Sequence, residues 1–244
     1  MDTKNLRDCW DKLARRDALW SILAWSGKRG KWAIDEFFAT GEEEISSVME
    51  HIASLGIDLS HKTALDFGCG AGRLTQALAD HFDQVYGVDV APTMIALANE
   101  HNRCGDRCKF FLNEASDLES FADGSFDFVY SSITLQHMEP RHSTKYIGEF
   151  LRVLDPQGLL VFQLPSEPRR TAKGLMLRIM PAALFNMYTR VKHGAPMELH
   201  WVKRADVITF LEHQRGDIVD VQRDQSAGKD MVSFRYYVKK RGSE

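Results

Sequence analysis

Three glycines at alternate positions, Gly68, Gly70 and Gly72, follow directly on the short run Thr63-Ala64-Leu65-Asp66-Phe67. Glycine lacks a Cβ and tolerates φ > 0, so the chain can turn sharply there and offer bare backbone to a ligand. The acidic residue beside the turn, Asp66, suits a ligand carrying positive charge better than a pyrophosphate. Asp89 comes about 20 residues beyond the turn, the spacing at which a carboxylate accepts hydrogen bonds from ribose hydroxyls. It would serve equally as the cap of a helix opening at Pro92. Glu114 stands in a further acidic stretch, Leu112-Asn113-Glu114-Ala115-Ser116-Asp117-Leu118. His137 lies in Ser131-Ser132-Ile133-Thr134-Leu135-Gln136-His137-Met138-Glu139-Pro140. An imidazole titrating near neutrality can move a proton or orient an acceptor. The same histidine can simply tie two loops together.

Elements at regular spacing must hold these residues. Thr63–Phe67, residues 84–89, 108–112, 126–131 and 159–164 read as five buried strands. Helices starting at Arg73, at Pro92 and at Pro140 separate them, the last ending near Leu154 before the turn Asp155-Pro156-Gln157-Gly158. Near-continuous apolar strands alternating with helices imply a parallel sheet covered on both faces. In such sheets ligands bind at the carboxyl ends of the strands, where Gly68, Asp89, Glu114 and His137 would all lie. Residues 5–25 predict an amphipathic helix or helix pair. Thr40 with Glu43 forms a capping box, opening a helix that Gly56 ends. Residues 203–214 predict a helix, and residues 218–225 and 231–238 a hairpin.

The dinucleotide fingerprint requires a small residue at its sixth position, and here that position is Arg73. Asp66-Phe67-Gly68-Cys69-Gly70-Ala71-Gly72 instead resembles motif I, D-x-G-x-G-x-G, of the class I S-adenosylmethionine (SAM)-dependent methyltransferases. The resemblance covers residues 60–165. It implies a Rossmann-like α/β fold with a seven-stranded sheet in the order 3-2-1-4-5-7-6, the last strand antiparallel. It also implies SAM as cofactor and S-adenosylhomocysteine as product. The cofactor would be held by Asp66, Gly68, Cys69, Gly70, Asp89, Val90, Met94, Glu114, Ala115, Ser131 and Gln136. Within that set, Glu114 and Ala115 would meet the adenine, Met94 would pack on it, and Ser131 and Gln136 would contact the methionine portion. Asp117 competes with Glu114 for its place. His137 is the expected catalytic residue. The loop after the fourth strand lacks the D/N-P-P-Y motif of nucleic-acid amino methylation and the aspartates of metal-dependent catechol-type enzymes. Similar L-x-H-M loops occur in small-molecule methyltransferases. A SAM-binding sensor or partner protein without methyl transfer, and an NAD-dependent oxidoreductase, are the competing readings.

The chain has 244 residues, 44% hydrophobic and 27% charged, with a net charge of −3. These values fit a soluble globular domain, expected in the cytoplasm, with a small-molecule acceptor and no nucleic-acid partner. No apolar run is long enough to span a bilayer, and the N-terminus lacks a signal-peptide core. Peripheral membrane contact stays open. His101, Cys104 and Cys108 lack a fourth ligand, so no metal is expected and the thiols read as free. The single domain divides into an N-terminal helical cap (1–60), a SAM-binding core (61–165), a helical lid insertion (166–200) and a C-terminal helix with hairpin (201–244). The insertion is rich in methionine and basic residues. It predicts a lid for an acceptor with an apolar body and a negative group.

Overall fold

The computed structural model describes residues 3–241; Met1 and Asp2 of the expected cap, and residues 242–244 after the hairpin, lie outside it. Seven strands form one sheet in the order β3-β2-β1-β4-β5-β7-β6. They are β1 (Thr63–Phe67), β2 (Gln84–Asp89), β3 (Cys108–Leu112), β4 (Phe126–Ser131), β5 (Leu154–Pro168), β6 (Gly216–Asp224) and β7 (Met231–Lys240). The first five are mutually parallel, and β7 runs antiparallel to both β5 and β6. The expected sheet order is therefore observed. Strand order reverses between β1 and β4, which opens a crevice at their carboxyl ends.

Side chains alternate across the sheet with period two. Ala64, Phe128, Tyr130, Val161 and Tyr237 face α2 (Ile34–Ser54) and α3 (Arg73–Leu78). Leu65, Val129, Leu160, Phe162 and Tyr236 face α5 (Pro140–Val153) and α8 (Arg204–His213). Two apolar layers thus clamp the sheet and fix the strand ends that carry the site.

Two expectations need adjustment, the starts of α2 and β5, while the N-terminal helix pair and the helical insertion take definite bounds. Helix α2 begins at Ile34, so Thr40 is no cap; its hydroxyl donates to the carbonyl of Phe37 at 2.6 Å. The apolar series Phe37, Phe38, Gly41, Ile45, Val48 and Ile52 continues at helical spacing through Thr40, and Asp35 and Glu36 complement the helix N-terminus. The N-terminal element α1 (Thr3–Ile22) is broken at Asp17, with φ −165° and ψ 83°. There Asp17 accepts from the amides of Trp20 and Gly30. β5 begins before the expected turn, because residues between the pairs Phe126–Leu154 and Phe128–Leu159 bulge out of register. The insertion folds as α6 (Ala172–Ile179) and α7 (Ala182–His193), separate from α4 (Pro92–Glu100).

Candidate active site

The glycine turn is held under β2. The amides of Gly68 and Cys69 both donate to the carbonyl of Val88, at 2.9 and 3.0 Å. Gly68 and Gly70 have φ of 79° and 53°, a region that disfavours any side chain. A Cβ on Gly68 would stand 2.1 Å from Oγ1 of Thr134, and one on Gly70 2.7 Å from Cδ1 of Ile22. The turn is therefore enclosed by the loop after β4 on one side and by α1 on the other.

Asp89, at the end of β2, accepts from the amide of Gly70 at 3.0 Å and from that of Ala91 at 2.8 Å. Burial pushes its carboxyl up, against the amides of Ala91, Gly70 and Val90. A carboxylate offers about four lone-pair sites, so these amides orient the group and leave acceptor capacity toward the pocket. The cap reading of Asp89 is partly met by the Ala91 amide. At the start of α4, however, the amide of Thr93 is taken by Asp11 of α1, at 3.0 Å. Helix α1 thus caps α4 from outside and is fixed across the crevice.

The pocket at this sheet edge is lined from below by Gly68, Cys69, Gly70, Asp89, Val90 and Met94. Its opposite wall is α1, through Leu6, Trp10 and Ile22. Arg7 of the same helix pairs with Glu114 at 2.5 Å. Among the described residues, the pocket wall draws on α1 and not on α6 or α7. Spacing alone gave no sign of this, because α1 lies more than forty residues before the turn it covers.

His137, in the short 3-10 turn Leu135–His137, lines the pocket and is buried. Its Nδ1 lies 2.6 Å from the carbonyl oxygen of Glu198, which can only accept, so Nδ1 carries the proton. Nε2 is the bare nitrogen, 3.3 Å from the side-chain amide of Gln136. Trp10 packs edge-on to the ring at 4.9 Å. Burial lowers the imidazole to about 4, so it is neutral at pH 7. Two more pocket residues, His142 and Tyr146, stand four apart on α5 and share a face. Nε2 of His142 is buried without a hydrogen-bond partner. Their i, i+4 spacing after Pro140 is the one signal of this pair in the sequence.

Other expected cofactor residues sit just behind this lining. Asp66 is wholly buried beneath the turn, where Thr75 donates to it at 2.6 Å. Burial raises its carboxyl to about 7. Ser131 donates to the carbonyl of Phe67 at 3.0 Å, and Gln136 is buried. The carbonyl of Ala115 accepts from Tyr146 at 2.7 Å. Asn113 and Ser116 flank Glu114 and Ala115 on the pocket surface, while Asp117 pairs with Lys145 at 3.4 Å. Cys104 and Cys108 turn their thiols to carbonyls of α3, those of Gln76 and Thr75.

Residues 65–162 match the family described as Methyltransferase domain. This segment runs from β1 into β5 and contains the glycine turn, Asp89, Glu114 and His137. Over that segment the chain has the Rossmann-like methyltransferase fold and is similar to small-molecule SAM-dependent methyltransferases. Its sequence is 30% identical over 158 residues to the 2-methyl-6-phytyl-1,4-hydroquinone methyltransferase of Synechocystis, covering 64% of this chain and 49% of that protein. It is 27% identical over 169 residues to the ubiquinone biosynthesis O-methyltransferase of Xanthomonas oryzae pv. oryzae, covering 69% and 68%. The chain thus spans about half the length of the first relative and about two thirds of the second. The fold is shared with the magnesium protoporphyrin IX methyltransferase of Synechocystis, a structure with bound S-adenosylhomocysteine. The TM-score is 0.66 and the identity 18%, over 98% of this chain and 100% of that one. The glycine turn stands at the topological switch point of the sheet, between β1 and β4. No helix among the described residues is long and apolar enough to cross a membrane.

Proposed function

We propose that this protein transfers the methyl group of SAM to an oxygen or nitrogen of a small, amphipathic acceptor. The observation that carries the proposal is the pairing of the bare glycine turn with the Asp89 carboxylate beneath an apolar wall. The residues present fit the cofactor. Gly68 and Gly70 leave space that a Cβ would fill, Asp89 keeps acceptor capacity for two ribose hydroxyls, and Met94 offers an apolar surface. Cys69 and Val90 complete the floor. Asn113, Glu114, Ala115 and Ser116 form the edge suited to the adenine, with Ser131 and Gln136 setting the loop beside the methionine portion. Asp66 acts from beneath the turn.

Bound in that crevice, SAM supplies an electrophilic methyl carbon on a sulfonium, open to in-line attack. The chain's own task is alignment and exclusion of water. Leu6, Trp10 and Ile22 exclude water from one side, and Met138 and Ile133 from another. The neutral Nε2 of His137 takes the Gln136 amide at 3.3 Å, so a bound hydroxyl or amine would replace that contact to be oriented by the ring and to give up its proton as the new bond forms. A conjugate acid near 4 makes it a weak base, so orientation is the larger part of its contribution. Arg73, the one lysine or arginine among the described lining residues, is committed to Glu44 at 2.8 Å. The amphipathic character of the acceptor therefore has more support here than a negative group. One relative is named for a phytyl-substituted hydroquinone and another for O-methylation, which favours an aromatic hydroxyl on an apolar body.

Calorimetric titration with SAM tests the cofactor assignment. Asp89→Ala should lose about 1–3 kcal/mol of affinity, the scale for hydrogen bonds to a charged group. Release of S-adenosylhomocysteine with prenylated phenols tests the transfer. An unchanged SAM affinity in folded Asp89→Ala would remove the assignment.

A further inference from the structure

Helices α6 and α7 are amphipathic the wrong way round. Leu175, Met176 and Ile179 form a stripe on α6, and Leu184, Met187 and Val191 a second on α7, at i, i+3, i+4 and i+7 spacing. All six are exposed, Ile179 and Val191 at 82%. Among the described residues, the buried positions of α7 are polar: Thr189 accepts from the amide of Met197, and His193 packs at a tilt against Trp20 with centroids 4.8 Å apart. A helix that puts threonine and histidine inward and isoleucine-class residues outward holds apolar surface for something beyond the fold.

The charge carried by the two helices themselves is of one sign. Residues 168–197 contain six basic side chains and no acidic one, in a chain of net charge −3. Two of the six are paired, Lys173 with Asp230 and Arg178 with Glu167. Arg170 and Arg190 are exposed, and Lys192 lies over the ring of Tyr188, itself exposed beside the α7 stripe. At the foot of α6, Arg169, Arg170, Arg178 and Arg223 rim a depression that also holds Glu167, the partner of Arg178. A second copy of this chain would bring like charges together over the same face, which disfavours self-association. An anionic bilayer satisfies both features, accepting the apolar stripes among its acyl chains and the basic rim among its headgroups.

We propose that α6 and α7 dock this protein on the surface of an anionic lipid membrane through their outward apolar stripes. The docking is independent of the methyl-transfer reading, because no stripe residue lines the pocket. Flotation with vesicles of mixed phosphatidylglycerol and phosphatidylcholine, and of phosphatidylcholine alone, tests it on the full chain. The parent should float with the anionic vesicles and be released by raised salt. Ile179→Asp with Val191→Asp should cut the bound fraction roughly tenfold, since both residues would otherwise enter the interface. SAM titration and circular dichroism on the pair establish that it folds. Arg170→Glu with Arg190→Glu should weaken binding to the anionic vesicles without altering SAM affinity. Equal flotation with both vesicle types, undiminished flotation of the folded apolar pair, or a dimer that the pair dissolves while the parent ignores lipid would each overturn the proposal.

Discussion

The carbonyl of Glu198 accepts the Nδ1 proton of His137 at 2.6 Å, so a segment just beyond α7 fixes the tautomer of a pocket histidine. Glu198 is itself held, accepting from Asn186 of α7 at 3.0 Å and lying 2.9 Å from Nε2 of His200. The amide of His200 returns to the carbonyl of Gln136 at 2.7 Å. The insertion thus reaches the pocket through backbone, without lining it.

The position of His137 has a pH consequence of definite sign. Burial takes it from 6.5 to about 4. The unfolded chain therefore binds more protons between those values, and the stability gained by keeping this ring neutral is complete above about 6.5. It is lost as pH falls from 6.5 toward 4, by about 3 kcal/mol in all. Urea denaturation of the parent and of His137→Asn should show the difference between them shrinking across that window. Activity should have no acid limb near 6.5 arising from this residue. A limb there that His137→Asn abolishes would show that the ring is not held neutral.

The walls of the site can be tested through Gly70 and Ile22. Gly70→Ala meets two obstacles, φ of 53° and Cδ1 of Ile22 at 2.7 Å. The left-handed conformation costs a Cβ-bearing residue roughly 1–2 kcal/mol, and the collision adds to it. Gly70→Ala should therefore bind SAM at least tenfold more weakly, on the order of 1.4 kcal/mol. Ile22→Ala in the same chain should return part of that loss, by removing the collision and leaving the backbone strain. Affinities from titration of the single and double variants give the coupling directly. Strict additivity would mean that α1 does not close on the turn.

The contrast between strands and walls explains what was legible in advance. β1, β2, β3 and β4 have the bounds that their apolar runs predict, because a strand buried on both faces has little freedom in composition; edge strand β3, expected to be buried, instead leaves Phe111 and Leu112 exposed. The turn and Asp89 were legible for a related reason: left-handed backbone and a strand-end carboxylate leave residue-type signatures. The contact of Ile22 with Gly70 leaves none, since any medium-sized apolar residue could make it from a helix of ordinary pattern. Thr40 misled because its capping signal is local, while the start of α2 is decided by Phe37 and Phe38 packing with Leu23 and Ala71. His142 went unread because a histidine in the first turn of a helix is common, and only the fold turns it inward.

The last prediction concerns Glu44, which ties the cap to the core behind the glycine turn. Its carboxylate accepts from Arg73 at 2.8 Å, from Tyr130 at 2.7 Å and from Arg235 at 3.3 Å. The side chain of Arg73, first residue of α3, is only 4% exposed, and Arg235 has Asp224 as its other partner at 3.0 Å. Burial would raise the Glu44 carboxyl, but the two guanidinium groups outweigh it and hold the group below its ordinary value. Its stabilising contribution is therefore present above about pH 4.3 and lost as pH falls through the depressed folded value. Glu44→Ala would leave two buried cations sharing less negative charge. Removing one partner of a buried pair costs about 3–5 kcal/mol, mostly the penalty of the stranded charge. Glu44→Ala should accordingly lower Tm by roughly 6–20 °C for a domain of this size. The Arg73→Met, Glu44→Met pair should recover part of the loss, because it replaces ions with apolar volume in a dry layer. Thermal melts at pH 7 and pH 4 check both statements: the gap between parent and Glu44→Ala should be wide at the first pH and narrower at the second. A gap that widens at acid pH would mean that Glu44 is buried for its shape and not for its charge.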